Sequence, residues 1–165
     1  MPYRRFEDLP VWNSAIDLAV HVYNVTDTTP FRRRRSLRDQ IERAAVSVSN
    51  NIAEGFERGT TQELLTFLYI ARGSAGEVRS MLCLFERLPA FGDLKSEISN
   101  LKSKAESISR QLRGWANSLQ NSEIKGQRYL SSRSRKQSQT VKDREEFLKE
   151  LAEIRAKAKA ERKDT

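Results

Sequence analysis

The chain has 165 residues, 32% of them charged and 38% hydrophobic, and its 30 Lys and Arg against 22 Asp and Glu give a formal net charge of +8. That length suits one modest domain with an appendage, and 7 glycines with 4 prolines favour helices over a turn-rich β fold. One cysteine, Cys83, and one histidine, His21, exclude an internal disulfide and a Cys/His zinc cluster, and no apolar run nears the roughly 18 residues of a membrane span.

The N-terminal Met1-Pro2-Tyr3-Arg4-Arg5 lacks the apolar core of a signal peptide, so a cytoplasmic protein is expected. Asp8 can cap a first helix with Pro10 tolerated in its first turn. Trp12, Ile16, Ala19 and Tyr23 form one apolar stripe on that helix, which should end before Pro30. Val11, Ala15, Leu18, Val22 and Val25 form a second stripe beside it. More of the circumference is therefore apolar than one packing contact requires, and something else must cover it. Ser36 with Asp39 resembles a capping pair for a second helix over about 36–55, closed by a left-handed Gly55. Leu37, Ile41, Ala44, Val48 and Ile52 recur at steps of four and three on its inward face. Gln40, Arg43, Ser47, Asn51 and Glu54 run along an adjoining face as a polar stripe where a solvated helix would carry more Lys and Glu.

Thr60-Thr61-Gln62-Glu63 is a capping box, after which Leu64, Leu68, Ala71, Ala75, Val78, Leu82 and Phe85 alternate by four and three. Pro89 and Gly92 stop this third helix, and Asp93 can cap a fourth. There Leu94, Ile98, Leu101, Ala105, Ile108, Leu112, Trp115 and Leu119 repeat the same rhythm. Four amphipathic helices on short connections predict an all-α, up-down-up-down four-helix bundle over residues 1–120. Residues 121–140 read as a basic linker, with Lys125, Arg128, Arg133, Arg135 and Lys136 against Glu123 alone. Residues 141–165 read as a charged amphipathic helix with Phe147, Leu151, Ile154 and Ala158 on one side.

The functional signals are electrostatic. Arg32, Arg33, Arg34 and Arg35 stand just before a helix start, where the dipole already presents positive charge and each arginine is disfavoured by roughly 0.3–1 kcal/mol unless an anion answers it. A phosphate backbone reverses that sign, because helix N-terminal amides and guanidinium forks both donate to phosphate oxygens. Arg38, Arg43 and Arg58 extend the candidate nucleic-acid surface, and Arg133, Arg135 and Lys136 offer a second grip. The competing reading is a solvated basic loop. The stripe of Gln40, Ser47, Asn51 and Glu54 reads first as a hydrogen-bonding network across a helix or subunit interface, and second as a surface for RNA or protein. Gly73 and Gly76 lie inside the third helix, where close backbone approach would compensate their roughly 1 kcal/mol cost. No metal ligands, cofactor motif or paired nucleophile and base mark an enzyme.

The chain resembles a known family, the four-helix-bundle proteins first met as reading frames in intervening sequences of bacterial large-subunit rRNA genes. Three blocks carry the resemblance. They are Phe6-x-Asp8-Leu9-x-Val11-Trp12-x-x-Ala15; Leu37-x-x-Gln40-x-x-Arg43-Ala44-Ala45-x-Ser47-Val48-x-x-Asn51-Ile52-Ala53-Glu54-Gly55; and Phe67-Leu68-x-Ile70-Ala71-x-Gly73-Ser74-x-x-Glu77. The resemblance covers about residues 3–120 and implies a four-helix protomer in a homopentameric ring. Such a ring would account for the second stripe of helix one, making Val11, Ala15, Leu18, Val22, Val25, Gly73 and Gly76 the expected oligomer interface. Relatives include the accessory variability determinant of diversity-generating retroelements, a basic pentamer that implies nucleic acid and a reverse transcriptase as partners. The expected function is thus a non-enzymatic nucleic-acid-binding accessory protein, RNA more than DNA being its ligand. A protein-interaction scaffold is the alternative.

Overall fold

Leu64, Leu68, Ala71, Ala75, Val78, Leu82 and Phe85 are all buried, as the alternating spacing requires of a bundle seam. The computed structural model that shows this describes residues 3–121 and, beyond them, Arg144, Glu146, Leu148 and Lys149. Those four residues are helical and exposed; the rest of the expected linker and C-terminal helix lies outside the described residues. The chain divides into two units, Met1–Arg128 and Tyr129–Thr165, and the bundle belongs to the first.

Five helices make up the bundle: α1 (Pro10–Thr26), the single-turn α2 (Thr29–Arg32), α3 (Arg35–Glu57), α4 (Thr61–Arg87) and α5 (Lys95–Gln120). The four long ones form a closed ring of neighbours, with α1 against α3 and α5, and α4 against α3 and α5. The all-α expectation holds. Among the described residues no helix is long and apolar enough to cross a membrane.

On α3, Ile41, Ala44, Val48 and Ile52 are buried, and on α5 Ile98, Leu101, Ala105, Ile108 and Leu112 close the core. On α1 the two stripes share the core unequally. Val11, Ala15, Leu18 and Val22 are buried against the protomer's own helices and Val25 packs partly buried beside them, so this row is core and not the expected oligomer interface. Of the other row, Ala19 is buried and Trp12 packs partly buried against the core, in edge contact with Phe6, while Tyr23 is exposed. Tyr23 and Val20 are respectively 46% and 52% exposed. The face of α1 left uncovered is therefore the one around Val20 and Tyr23.

Several expected helix ends also differ. Asp8 belongs to a 3-10 turn, Phe6–Asp8, and Leu9 precedes α1. Neither Ser36 nor Asp93 caps its helix: the positions are taken by Arg34 and Leu94, without a capping side chain. The capping box at Thr60 does form, its hydroxyl accepting from the Glu63 amide at 3.2 Å and donating to the Glu63 carboxylate at 2.8 Å. Gly55 does not end α3 in a left-handed turn, since no glycine among the described residues has a positive φ and the helix runs on to Glu57. A β-carbon at Gly55 would sit 2.6 Å from Phe67 Cβ, so glycine is there to let α4 approach. A β-carbon at Gly73 or Gly76 would meet nothing within 4 Å, so close approach inside the protomer does not explain them.

At the end of the bundle where α1 joins α3 and α4 joins α5, Phe31, Phe85 and Phe91 bury their rings together. Their centroids are 5.0, 4.7 and 4.9 Å apart. Phe31 is the buried residue of α2, and Phe91 sits in the 3-10 segment Pro89–Leu94.

The two glycines give opposite expected outcomes in urea unfolding at dilute protein concentration. Gly55→Ala should lower stability by about 1–3 kcal/mol, because Phe67 Cβ is fixed to the backbone and no rotamer relieves the clash. Gly73→Ala should raise protomer stability by about 0.5–1 kcal/mol, the ordinary gain of alanine in an open helix position.

Candidate nucleic-acid interface

The arginine run is a bend between two helices, with one apolar residue pinning it. Pro30 opens α2 by fixing φ, and Phe31 turns inward. The Arg34 amide then donates to the Phe31 carbonyl at 2.8 Å, and Arg34, at φ −132° and ψ 62°, breaks the helical path before α3 starts at Arg35. Because Phe31 is inside, its charged neighbours must leave in other directions.

The bend sorts the arginines into committed and open groups. Arg32 donates to the Asp27 carbonyl at 3.0 Å and to its carboxylate at 3.2 Å. Arg34 lies 5.5 Å over the Phe91 ring, a cation–π contact that half-buries it. Arg38 donates to Glu42 Oε1 at 2.8 Å, and the same oxygen accepts from the buried Thr26 hydroxyl at 2.5 Å. The Glu42 hydrogen bond raises the Arg38 pKa above its ordinary value, holding the charge but occupying it. Arg33 and Arg35 are exposed and make no ion pair or side-chain hydrogen bond among the described residues. Arg43 spends only Nε, on the Asp39 carbonyl at 3.2 Å. α3 has no capping side chain and no acidic residue in its first turn, so its positive dipole end adds to Arg33 and Arg35 instead of being neutralised.

Arg58 stands apart. It follows the far end of α3, roughly 34 Å along the axis from Arg35 at 1.5 Å per residue. There it pairs with Glu54 at 2.5 Å and Glu63 at 3.8 Å and lies 5.1 Å over Phe67. The Glu54 hydrogen bond raises its pKa. Arg58 therefore does not join the cationic end. Arg133, Arg135 and Lys136 lie outside the described residues.

The polar stripe bridges α3 and α4. The Gln40 amide donates to Glu77 at 3.2 Å, and the Ser47 and Ser74 hydroxyls are 2.9 Å apart. Asn51 donates to the Ser47 carbonyl at 2.7 Å and hydroxyl at 3.0 Å. Glu54 instead serves Arg58. On the outer side of this stripe, towards α1, an open groove of about 420 Å³ is lined by Tyr23, Arg43, Val46, Ser47, Asn50 and Asn51. Tyr23, Val46 and Asn50 had no sequence signal as site residues, because they meet only once α1 lies on α3.

The matched segment, residues 7–114, takes in the bend, the ladder and the groove, and corresponds to the 23S rRNA-intervening sequence protein family. The chain belongs to that family. No curated protein is similar enough in sequence to match this intervening-sequence protein. Among solved structures it is similar to a protein of unknown function from the S23 ribosomal protein family of Bacteroides thetaiotaomicron VPI-5482. That likeness has 19% identity and a TM-score of 0.58, covering 64% of this chain and 97% of the other. At that identity it supports the helical fold alone.

Glu42 is the residue that withdraws Arg38 from the surface, so Glu42→Ala should move two measurements in opposite directions. Stability in urea falls by about 1–3 kcal/mol as the charged hydrogen bonds from Arg38 and Thr26 are lost. Affinity for a single-stranded RNA in low salt rises, because one more guanidinium becomes open. A fall in both would mean that Glu42 acts only by holding the fold.

Proposed function

We propose that this intervening-sequence protein is a non-enzymatic, oligomeric nucleic-acid-binding accessory protein whose ligand is RNA rather than DNA. The observation that carries the reading is the pair Arg33 and Arg35, without an ion pair among the described residues at the uncapped start of α3, with Arg43 two turns further along. Guanidinium forks and free helix amides converging on one end are donors without an internal acceptor, and phosphate oxygens are the acceptor that fits them. The family's description in terms of 23S rRNA supports RNA over DNA. The resemblance to the accessory variability determinant supports a reverse transcriptase as protein partner and a pentameric ring as the assembly.

Assembly has its own support in the outer row of α4. Ile70 and Leu84 are 46% and 43% exposed at either end of it, with Gly73 and Ser80 leaving room between them. A second copy packed on that row would cover two large apolar side chains and give the glycines the close neighbour they lack. A ring would also bring several cationic ends to one polyanion, raising avidity without any new contact. The same exposed row supports the second reading, a scaffold that binds protein alone.

Salt titration separates the two. Binding of a single-stranded RNA followed by fluorescence anisotropy should weaken steeply with salt, by about 0.7 log unit per log unit for each phosphate neutralised. Replacing Arg33 and Arg35 by Ser should flatten that slope by the equivalent of about two contacts and weaken all sequences alike. Replacing Arg58 by Ser should leave the slope unchanged. A wild-type protein that ignores RNA and DNA in dilute salt, while keeping a protein partner through high salt, would be the scaffold.

A further inference from the structure

We infer that the groove between α1 and α3 is a subsite for an unpaired nucleobase, so that the ligand is a single strand, not a duplex. The inference rests on the nucleic-acid reading above and adds what that reading leaves open, the part of the ligand recognised beyond its phosphates.

A splayed base has two chemical needs: a flat partner for its π face, and donors and acceptors for its edge. The groove supplies both from two helices. Tyr23 of α1 lines the groove and is nearly half exposed although it is a large aromatic residue, which leaves it available to a base. Val46 of α3 is the apolar member of the lining. The Asn50 carboxamide makes no hydrogen bond among the described residues, leaving both its donor and acceptor ends for a base edge. Asn51 is different: its amide group is fixed by the Ser47 carbonyl and hydroxyl, so the side chain is held in place and only its oxygen remains to accept. Arg43 keeps its terminal guanidinium nitrogens for a phosphate or a base edge, since only Nε is spent.

Size and placement agree with this occupant. A volume of about 420 Å³ falls in the ordinary range of small-ligand sites, roughly 300–1,000 Å³, and is ample for one base. The groove is open to solvent, so one base of a polymer can turn into it while the rest of the strand stays outside. Arg43 lies eight residues beyond Arg35 on α3, about 12 Å along the axis at 1.5 Å per residue. A strand held by its phosphates at the uncapped end of α3 therefore meets the groove within a few nucleotides. In a duplex the bases are stacked and paired and cannot turn into such a cleft without being pulled out. The phosphates fix the register and the groove reads the base, the usual division of work between positioning and specifying contacts.

The experiment uses the full chain with two probes, a short single-stranded RNA carrying 2-aminopurine and a duplex of the same sequence. Wild-type protein should bind the single strand more tightly and quench its 2-aminopurine emission through stacking. Tyr23→Leu should weaken single-strand binding by roughly 5- to 150-fold, remove the quenching and leave duplex binding unchanged. Tyr23→Phe keeps a stacking ring and should behave as wild type, which separates stacking from any loss of fold. Asn50→Ala should alter preference among bases more than overall affinity.

Three results would overturn the inference. Single-strand binding that survives Tyr23→Leu but is lost with Arg33→Ser and Arg35→Ser would sink the groove and leave the nucleic-acid reading standing. A drop in native mass with Tyr23→Leu and no change in base stacking would assign the groove to a second copy of the chain. Failure of the wild type to bind either probe would remove the functional reading and the base site with it.

Discussion

The burial of Phe31 between Phe85 and Phe91 is the interaction on which the display of positive charge depends. Four consecutive arginines repel one another and would not choose a common bend unaided. One aromatic side chain just before them, in T-shaped contact with two others from α4 and its following turn, holds the bend against the end of the bundle. Such ring pairs contribute about 0.5–1.5 kcal/mol each beyond the apolar area they bury. Arg34 then folds back over Phe91 and shields the outer surface of the same cluster. Its neighbours Arg33 and Arg35 point away because the inward direction is already taken.

Glu42 performs a related task from the α3 side. Its carboxylate, largely enclosed, accepts from Arg38 and from the buried Thr26 hydroxyl at the end of α1. One acidic group therefore ties two helices together and settles which arginine is structural. The ladder of Gln40–Glu77 and Ser47–Ser74 does the same between α3 and α4. Polar pairs of this kind near the surface add little net stability, but they allow one axial register and penalise others, since a slip would leave them unpaired. Helix register in turn decides that Tyr23, Arg43 and Asn50 face one groove.

The seams of α4 and α5 were legible because a strict alternation of four and three admits one inward face. α1 was not, because Trp12, Ile16, Ala19 and Tyr23 make as good a stripe on paper as Val11, Ala15, Leu18 and Val22. The choice between them belongs to the neighbours: against α3 and α5 the row of Val11 and Val22 is buried throughout, whereas of the other row Ala19 is buried, Trp12 is half-buried and Tyr23 stays exposed. Caps were similarly ambiguous. Thr60 acts as its sequence suggests, whereas Ser36 is overruled by the pull of Phe31, which moves the helix start to Arg35. Gly55 looked like a helix end and is a contact point, a distinction that only the position of Phe67 reveals. At the candidate site, the sequence displayed every positive charge but none of the pairings that remove Arg32, Arg38 and Arg58 from the open set. The groove left no trace in the sequence, since its two walls are separate helices.

The bend itself does not need the charge it carries. Phe31 supplies the anchor, Pro30 the turn and Arg34 the cover over Phe91, while Arg33 and Arg35 make no ion pair or side-chain hydrogen bond among the described residues. Neutral residues at those two positions would serve the fold equally and would avoid setting guanidinium groups against the positive end of α3, a penalty of roughly 0.3–1 kcal/mol each. Local rules of this kind are broken in folded proteins mainly where a site is being built. Three features thus meet along α3: an unneutralised dipole, two arginines without an ion pair among the described residues, and, two turns beyond, a groove that α3 shares with Tyr23 of α1. On the function proposed above, a polyanion with accessible bases supplies acceptors for the arginines and the dipole and an occupant for the groove.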